Sequence, residues 1–149
     1  MIQPVAARSN RKRSRAGVTL IEMLVVVAII GLFVALVGPN LFKKVGESRV
    51  TAARNQIINF QTALGTYNLD NGTFPTTEQG LQALRAKPAE AARWNGPYLT
   101  QDVPKDPWGH DYLYRYPGEH NNDEPEIISL GADGQPGGDG LNADIVSWK

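Results

Sequence analysis

Hydrophobic and polar positions change character twice along this chain. From Met23 to Phe42 no side chain is charged, and the run is apolar or small almost throughout. A helix of that length rises about 30 Å, the hydrocarbon thickness of a bilayer, so a membrane-spanning segment is predicted over 18–42. From Val50 onward the pattern is periodic. Val50, Ala53, Ile57, Phe60, Leu64 and Tyr67 recur at alternating steps of three and four, the stripe of an amphipathic helix with one face for a core. Arg49, Arg54, Asn55 and Gln61 fall off that stripe. Turn chemistry in Asn68-Leu69-Asp70-Asn71-Gly72 ends it, so the whole helix is expected from Leu20 to about Asn68. Gly38-Pro39 interrupts the run, where a proline predicts an end, a kink or local melting.

Beyond Gly72 the elements are short. Thr76 followed by Gln79 is a capping box, predicting a short helix that reaches Leu84. Tyr112 to Tyr116 alternates and reads as a strand stopped by Pro117-Gly118. Ile127–Leu130 and Ile145–Trp148 read as two more. The fold class is therefore α+β: a long N-terminal helix, half apolar all round and half amphipathic, packed on a small antiparallel sheet.

Charge refines the picture. The formal net charge is zero, yet the first 17 residues carry five bases (Arg8, Arg11, Lys12, Arg13, Arg15) and no acid. The rest carries ten bases against fifteen acids. A basic leader on a mildly acidic body fits better than a nucleic-acid surface. The positive-inside rule keeps the leader cytoplasmic and sends the C-terminal part across. A signal peptide is cut after its apolar core; here the small residue Gly17 precedes the core, so cleavage there would remove the charges and keep the helix. An uncleaved signal anchor is the alternative. The absence of cysteine excludes disulfides, thiolate zinc sites and cysteine-attached haem.

Little here suggests catalysis. His110 and His120 fall in separate loops and read as surface residues. None of Ser14, Ser48, Ser129 and Ser147 sits in a nucleophile elbow. No nucleophile, base and oxyanion donor can be assembled, so the chain reads as a non-enzyme.

Two stretches carry candidate chemistry. Glu22 stands at the edge of the apolar run, where an ionisable group is expensive and hence a functional candidate; a bystander in the headgroup region is equally compatible. The loop from Leu130 to Asp144 holds five glycines and the carboxylates Asp133, Asp139 and Asp144, with no lysine or arginine. Calcium takes six to eight hard oxygens from carboxylates, amides and carbonyls on a flexible backbone. The spacing is not that of an EF-hand or a phosphate loop, and a single β-roll-like repeat cannot stack. Spacing alone favours a solvated turn over a metal site.

Gly17 followed by Val18-Thr19-Leu20-Ile21-Glu22 resembles the prepilin peptidase site of type IV pilins and type II secretion pseudopilins. Phe74-Pro75-Thr76-Thr77-Glu78-Gln79-Gly80-Leu81, Trp94-Asn95-Gly96-Pro97-Tyr98-Leu99, and Asp106-Pro107-Trp108-Gly109 with Tyr112 narrow the resemblance. They look like the major pseudopilins of type II secretion, general secretion pathway protein G, from Gly17 to Trp148. The residue after the cut departs from the family's usual phenylalanine; here it is Val18.

The resemblance implies a pilin-like fold with a cleaved leader over 1–17, a transmembrane and filament-core helix over 18–42, and a periplasmic globular domain over 43–149. It implies cleavage between Gly17 and Val18 by the prepilin peptidase and N-methylation of Val18. Glu22 would register neighbouring subunits by pairing with an N-terminal amine. The protein would be single-pass in the inner membrane with a cytoplasmic N-terminus. It would polymerise with itself and minor pseudopilins into a pseudopilus, on an inner-membrane assembly platform, and drive export of folded proteins. The cofactor implied is calcium in the C-terminal loop. Asp133 and Asp144 are the preferred side-chain ligands, then Asn142 and the Leu130 carbonyl, then Asp139. The alternatives are a type IV pilin or competence-type pseudopilin with an extracellular filament, and a signal-anchored periplasmic calcium-binding enzyme. A DNA-binding filament would want a basic C-terminal face, which the acidic tail does not offer.

Overall fold

The computed structural model describes residues 17–149; the basic leader before Gly17 lies outside the described residues. The chain divides between Asn40 and Leu41 into two units. One helix, α1, has bounds Leu20–Asn71 and so includes Gly38 and Pro39 within its range. It ends three residues beyond the expected stop, at the predicted glycine turn, where the Gly72 N–H still reaches the Asn68 carbonyl at 2.7 Å.

In the first unit the large apolar side chains from Leu20 to Val37 are exposed in the free chain. No fold of this unit alone could bury them, because they cover the helix on every side. The segment is long and apolar enough to cross a membrane.

The second unit is a small α+β domain. Its core is the predicted stripe. Ala53, Ile57, Phe60, Leu64 and Tyr67 are buried, and Val50 packs partly against them. Ile127, Ile145 and Tyr112 close the core from the other side. Phe60 meets Tyr112 edge to face with ring centroids 5.1 Å apart, and Tyr67 meets Tyr98 at 5.5 Å. Burial, with the nearby Asp106 carboxylate second, pushes the Tyr112 phenol up to about 12, so it stays neutral in the core.

Three strands pair antiparallel in the order β1 (Leu113–Arg115), β2 (Glu126–Ser129), β3 (Ile145–Val146). Tyr114 stands opposite Ile127, and Ser129 opposite Ile145. The strands fall where the alternation put them: β1 and β3 are each two residues shorter, and β2 keeps its length but starts one residue earlier, at Glu126.

The expected short helix differs. Thr76 and Gln79 do cap one another: the Thr76 N–H donates to Gln79 Oε1 at 3.0 Å and the Gln79 N–H to Thr76 Oγ1 at 3.3 Å. One turn forms, then Gly80 takes φ +58 and breaks it, and a 3₁₀ turn follows over Leu81–Leu84. The threonine beside the cap ties this turn to the sheet. The Thr77 hydroxyl donates to the Tyr116 carbonyl at 3.0 Å and accepts the Tyr116 N–H at 3.1 Å, extending the edge of β1.

Candidate functional site

The first site opens α1. Gly17 and Val18 precede the helix and are exposed. Thr19 is its cap: the Glu22 N–H donates to Thr19 Oγ1 at 3.2 Å, and Glu22 Oε2 accepts the Thr19 N–H at 3.4 Å. This is a reciprocal capping box, readable as Thr-x-x-Glu but not expected from the sequence, where the carboxylate stood out for its place beside an apolar run. Glu22 is exposed, so its carboxylate is held loosely by its own helix end and open to an external cation. A carboxylate in the first turn is also favoured by the helix dipole.

The second site is the loop from Leu130 to Asp144, in the other unit. Its two arms are joined by backbone bonds: Ala132 N–H to the Leu141 carbonyl at 3.0 Å, and Asp144 N–H to the Gly137 carbonyl at 3.2 Å. Two glycines let the arms come this close. Gly131 has φ +64, and a Cβ there would sit 2.8 Å from the Asn142 carbonyl oxygen; at Gly138 (φ +82) it would sit 2.6 Å from the same oxygen. Asp144 reaches across the loop, its Oδ2 accepting the Gly137 N–H at 2.9 Å. Its Oδ1 is buried and has no hydrogen-bond partner. A buried carboxylate oxygen without a donor is costly, and a hard cation would satisfy it.

The other predicted ligands are less committed. Asp133 is exposed, and its Oδ1 accepts the Gln135 N–H at 3.1 Å, an Asx turn. Asp139 is exposed, with its carbonyl accepting the Asn142 N–H at 3.1 Å. Leu130 is half-buried at the end of β2. Among the described residues no three His, Asp or Glu side chains converge as a carboxylate-rich metal cluster would. A cation here would lean on one or two carboxylates and on carbonyl and amide oxygens, a donor set that calcium accepts and zinc does not. On the buried Asp144 oxygen, the residues present fit a calcium ion.

Sequence reasoning missed what braces this loop. Asp106 is buried; its Oδ1 accepts the N–H groups of Trp108 (3.1 Å) and His110 (2.8 Å), and its Oδ2 accepts the Ser129 hydroxyl at 2.7 Å. The Asp-Pro-Trp-Gly turn is thereby locked to β2, directly before the loop. His110, expected at the surface, has its Nδ1 3.2 Å from the Gly131 carbonyl oxygen, and a Cβ on Gly134 would touch its ring. His120 is exposed, as expected, yet engaged: its Nδ1 lies 2.8 Å from Glu126 Oε1 and its ring stacks on Trp148 at 4.2 Å. Both histidines do structural work that their loop positions concealed.

Comparison with known proteins covers both stretches of the chain. Residues 40–148 match the family described as type II secretion system (T2SS), protein G, and residues 12–38 match the prokaryotic N-terminal methylation motif. The chain is 42% identical over 143 residues to the type II secretion system core protein G of Vibrio cholerae, spanning 94% of this chain and 96% of that one. It is 40% identical over 141 residues to the protein of the same name from Pseudomonas aeruginosa, spanning 93% and 98%. Among solved structures, the major pseudopilin from the type 2 secretion system of enterohaemorrhagic Escherichia coli superposes with a TM-score of 0.62 at 34% identity. That match covers 74% of this chain and 95% of the crystallised one.

Proposed function

We propose, because this chain belongs to the type II secretion system protein G family, that it polymerises into the periplasmic pseudopilus that drives folded proteins across the outer membrane. The observation that carries this is the pairing of the two matches: a pseudopilin domain preceded by a methylation motif ending in an apolar helix. The prepilin peptidase cuts between Gly17 and Val18 and methylates the Val18 amine. The apolar half of α1 anchors the subunit in the inner membrane with the C-terminal domain periplasmic, then passes into the filament core. There its exposed apolar faces are covered by the same faces of other copies. Minor pseudopilins and an inner-membrane assembly platform are the other partners; nucleic acid is not one. The role is structural, and the energy comes from elsewhere.

Glu22 registers each incoming subunit. Its exposed carboxylate, held by a 3.4 Å bond to its own helix end, can exchange that bond for a neighbour's cationic amine. In a lipid-like setting such pairing offsets the cost of burying either charge alone.

The C-terminal loop would hold calcium through Asp144 and Asp133, with Asn142 and the Leu130 carbonyl as further oxygen donors and Asp139 the least committed of the loop's carboxylates. A divalent charge there would supply a cross-link between the two arms and neutralise three like charges. The chain's own contribution is the fold of the loop: Gly131 and Gly138 bring the arms together, and Asp106 with Ser129 fixes the strand from which it leaves.

The test is co-production of the full chain with the processing peptidase and assembly components. Electron microscopy should find thin filaments that label with antibody to this chain, and mass spectrometry should find N-methylated Val18 as the first residue. Intact Met1 and no filaments, with active peptidase present, would refute the reading.

A further inference from the structure

Leu141 lies in the loop between Asp139 and Asn142, and its side chain rests on α1 at Gly46. A Cβ at Gly46 would be 2.5 Å from Leu141 Cδ1 and 2.7 Å from Cδ2, so any side chain there would push the leucine off its present seat. Gly46 is buried although its neighbours Val45 and Glu47 are exposed, whereas Leu141 itself is 40% exposed. One face of the leucine thus covers bare helix backbone and the other faces solvent. Its carbonyl accepts the Ala132 N–H at 3.0 Å, one of the two backbone bonds that join the arms of the loop. Side chain and main chain of one residue therefore connect α1 to the loop's closure.

We infer that Leu141 is a strap that couples cation occupancy of the loop to cover over α1 at Gly46. The inference rests on the calcium reading above. Without a cation, Asp133, Asp139 and Asp144 repel, and a loop rich in glycine gains much entropy by opening. Opening separates the arms and lifts Leu141 from its seat, exposing α1 around Gly46. With the cation bound, the arms close and the leucine returns. Coupling of this kind is reciprocal: whatever the cation contributes to seating the strap, the seated strap returns to cation affinity.

The chain has no cysteine, so a crosslink reads this contact cleanly. The Gly46→Cys/Leu141→Cys double variant, full-length in detergent micelles, is oxidised mildly in millimolar calcium or in chelator, and its melting temperature is recorded in both. The strap predicts crosslinking at least about five-fold faster in calcium. Equal rates with a calcium-dependent rise in melting temperature would overturn the strap and leave the calcium site standing. No calcium effect on either readout would overturn the calcium reading and the strap with it. An independent cycle guards against misfolding of the double variant. Gly46→Val alone should weaken calcium binding by crowding Leu141. Adding Leu141→Ala should recover part of that loss, and simple additivity of the two would contradict the inference.

Discussion

The Ser129 hydroxyl donates to the Asp106 carboxylate at 2.7 Å, between two residues that solvent barely reaches. The same carboxylate gathers the N–H groups of Trp108 and His110, so one side chain closes a turn and fastens it to the central strand. Asp106→Ala leaves a buried hydroxyl and two N–H groups without their acceptor. We expect it to cost about 3 kcal/mol, read as a lowered thermal midpoint of the full chain. Asp102→Ala is the control. Its partner Arg85 is 3.1 Å away, but the aspartate is 92% exposed, and exposed pairs contribute less than about 1 kcal/mol. Equal losses from the two would show that Asp106 is an ordinary surface acid.

Acid should act through Glu126. Burial pushes its carboxyl up, but the His120 backbone N–H at 2.6 Å, the His120 ring and the Glu119 backbone outweigh burial. The net value falls below the ordinary 4.5. A carboxyl lowered on folding contributes stability that is complete above its unfolded value and is lost as pH falls through its folded one. The midpoint should therefore decline as pH drops below about 4.5, and Glu126→Gln should be less stable at neutral pH with a shallower acid slope. An identical acid profile in wild type and Glu126→Gln would contradict this.

The capping box gives Glu22 a role that its place in the apolar run did not suggest, and the two roles separate by substitution. Glu22→Gln can still reach back to the Thr19 N–H but carries no charge. Glu22→Ala loses both functions, and Thr19→Ala loses only the cap, about 1 kcal/mol of local helix stability. All three should insert in the membrane. If registration uses charge, Glu22→Gln and Glu22→Ala fail to form filaments while Thr19→Ala still does. Filaments from Glu22→Gln but not from Glu22→Ala or Thr19→Ala would make the carboxylate a cap and nothing more.

Asp144 is the pivot of the loop because its Oδ1 is buried without a partner. Calcium should raise the melting temperature of the wild-type chain and chelator should lower it, by mass action on the folded state. Asp144→Ala and Asp133→Ala should abolish the response; His120→Ala should keep it. Magnesium should substitute poorly, since it demands a tighter octahedron. A wild-type chain that melts identically in calcium and chelator would reduce the loop to a solvated turn.

What the sequence revealed, and what it hid, follows from the range of the interactions. The stripe from Val50 to Tyr67 and the three strands are local periodicities, legible because burial imposes a repeat on neighbouring residues. The Thr76–Gln79 cap was legible for the same reason, but Gly80 cut its helix to a turn. Thr19–Glu22 is spelled the same way, yet the stronger signal of a carboxylate beside an apolar run masked it. Asp106 with Ser129, and Leu141 with Gly46, join residues far apart in sequence and of unremarkable type, which no local pattern encodes. The histidines read as plain surface residues because stacking on Trp148 and contact with Gly131 are tertiary events.

The central claim is that this chain is a working subunit of type II secretion, and the most direct measurement is export itself. In a strain lacking only this gene, the extracellular fraction of a protein exported by that route should collapse and the folded cargo should collect in the periplasm. The wild-type chain supplied from a plasmid should restore release, and Glu22→Ala should not. Undiminished export in the deletion strain would contradict the account.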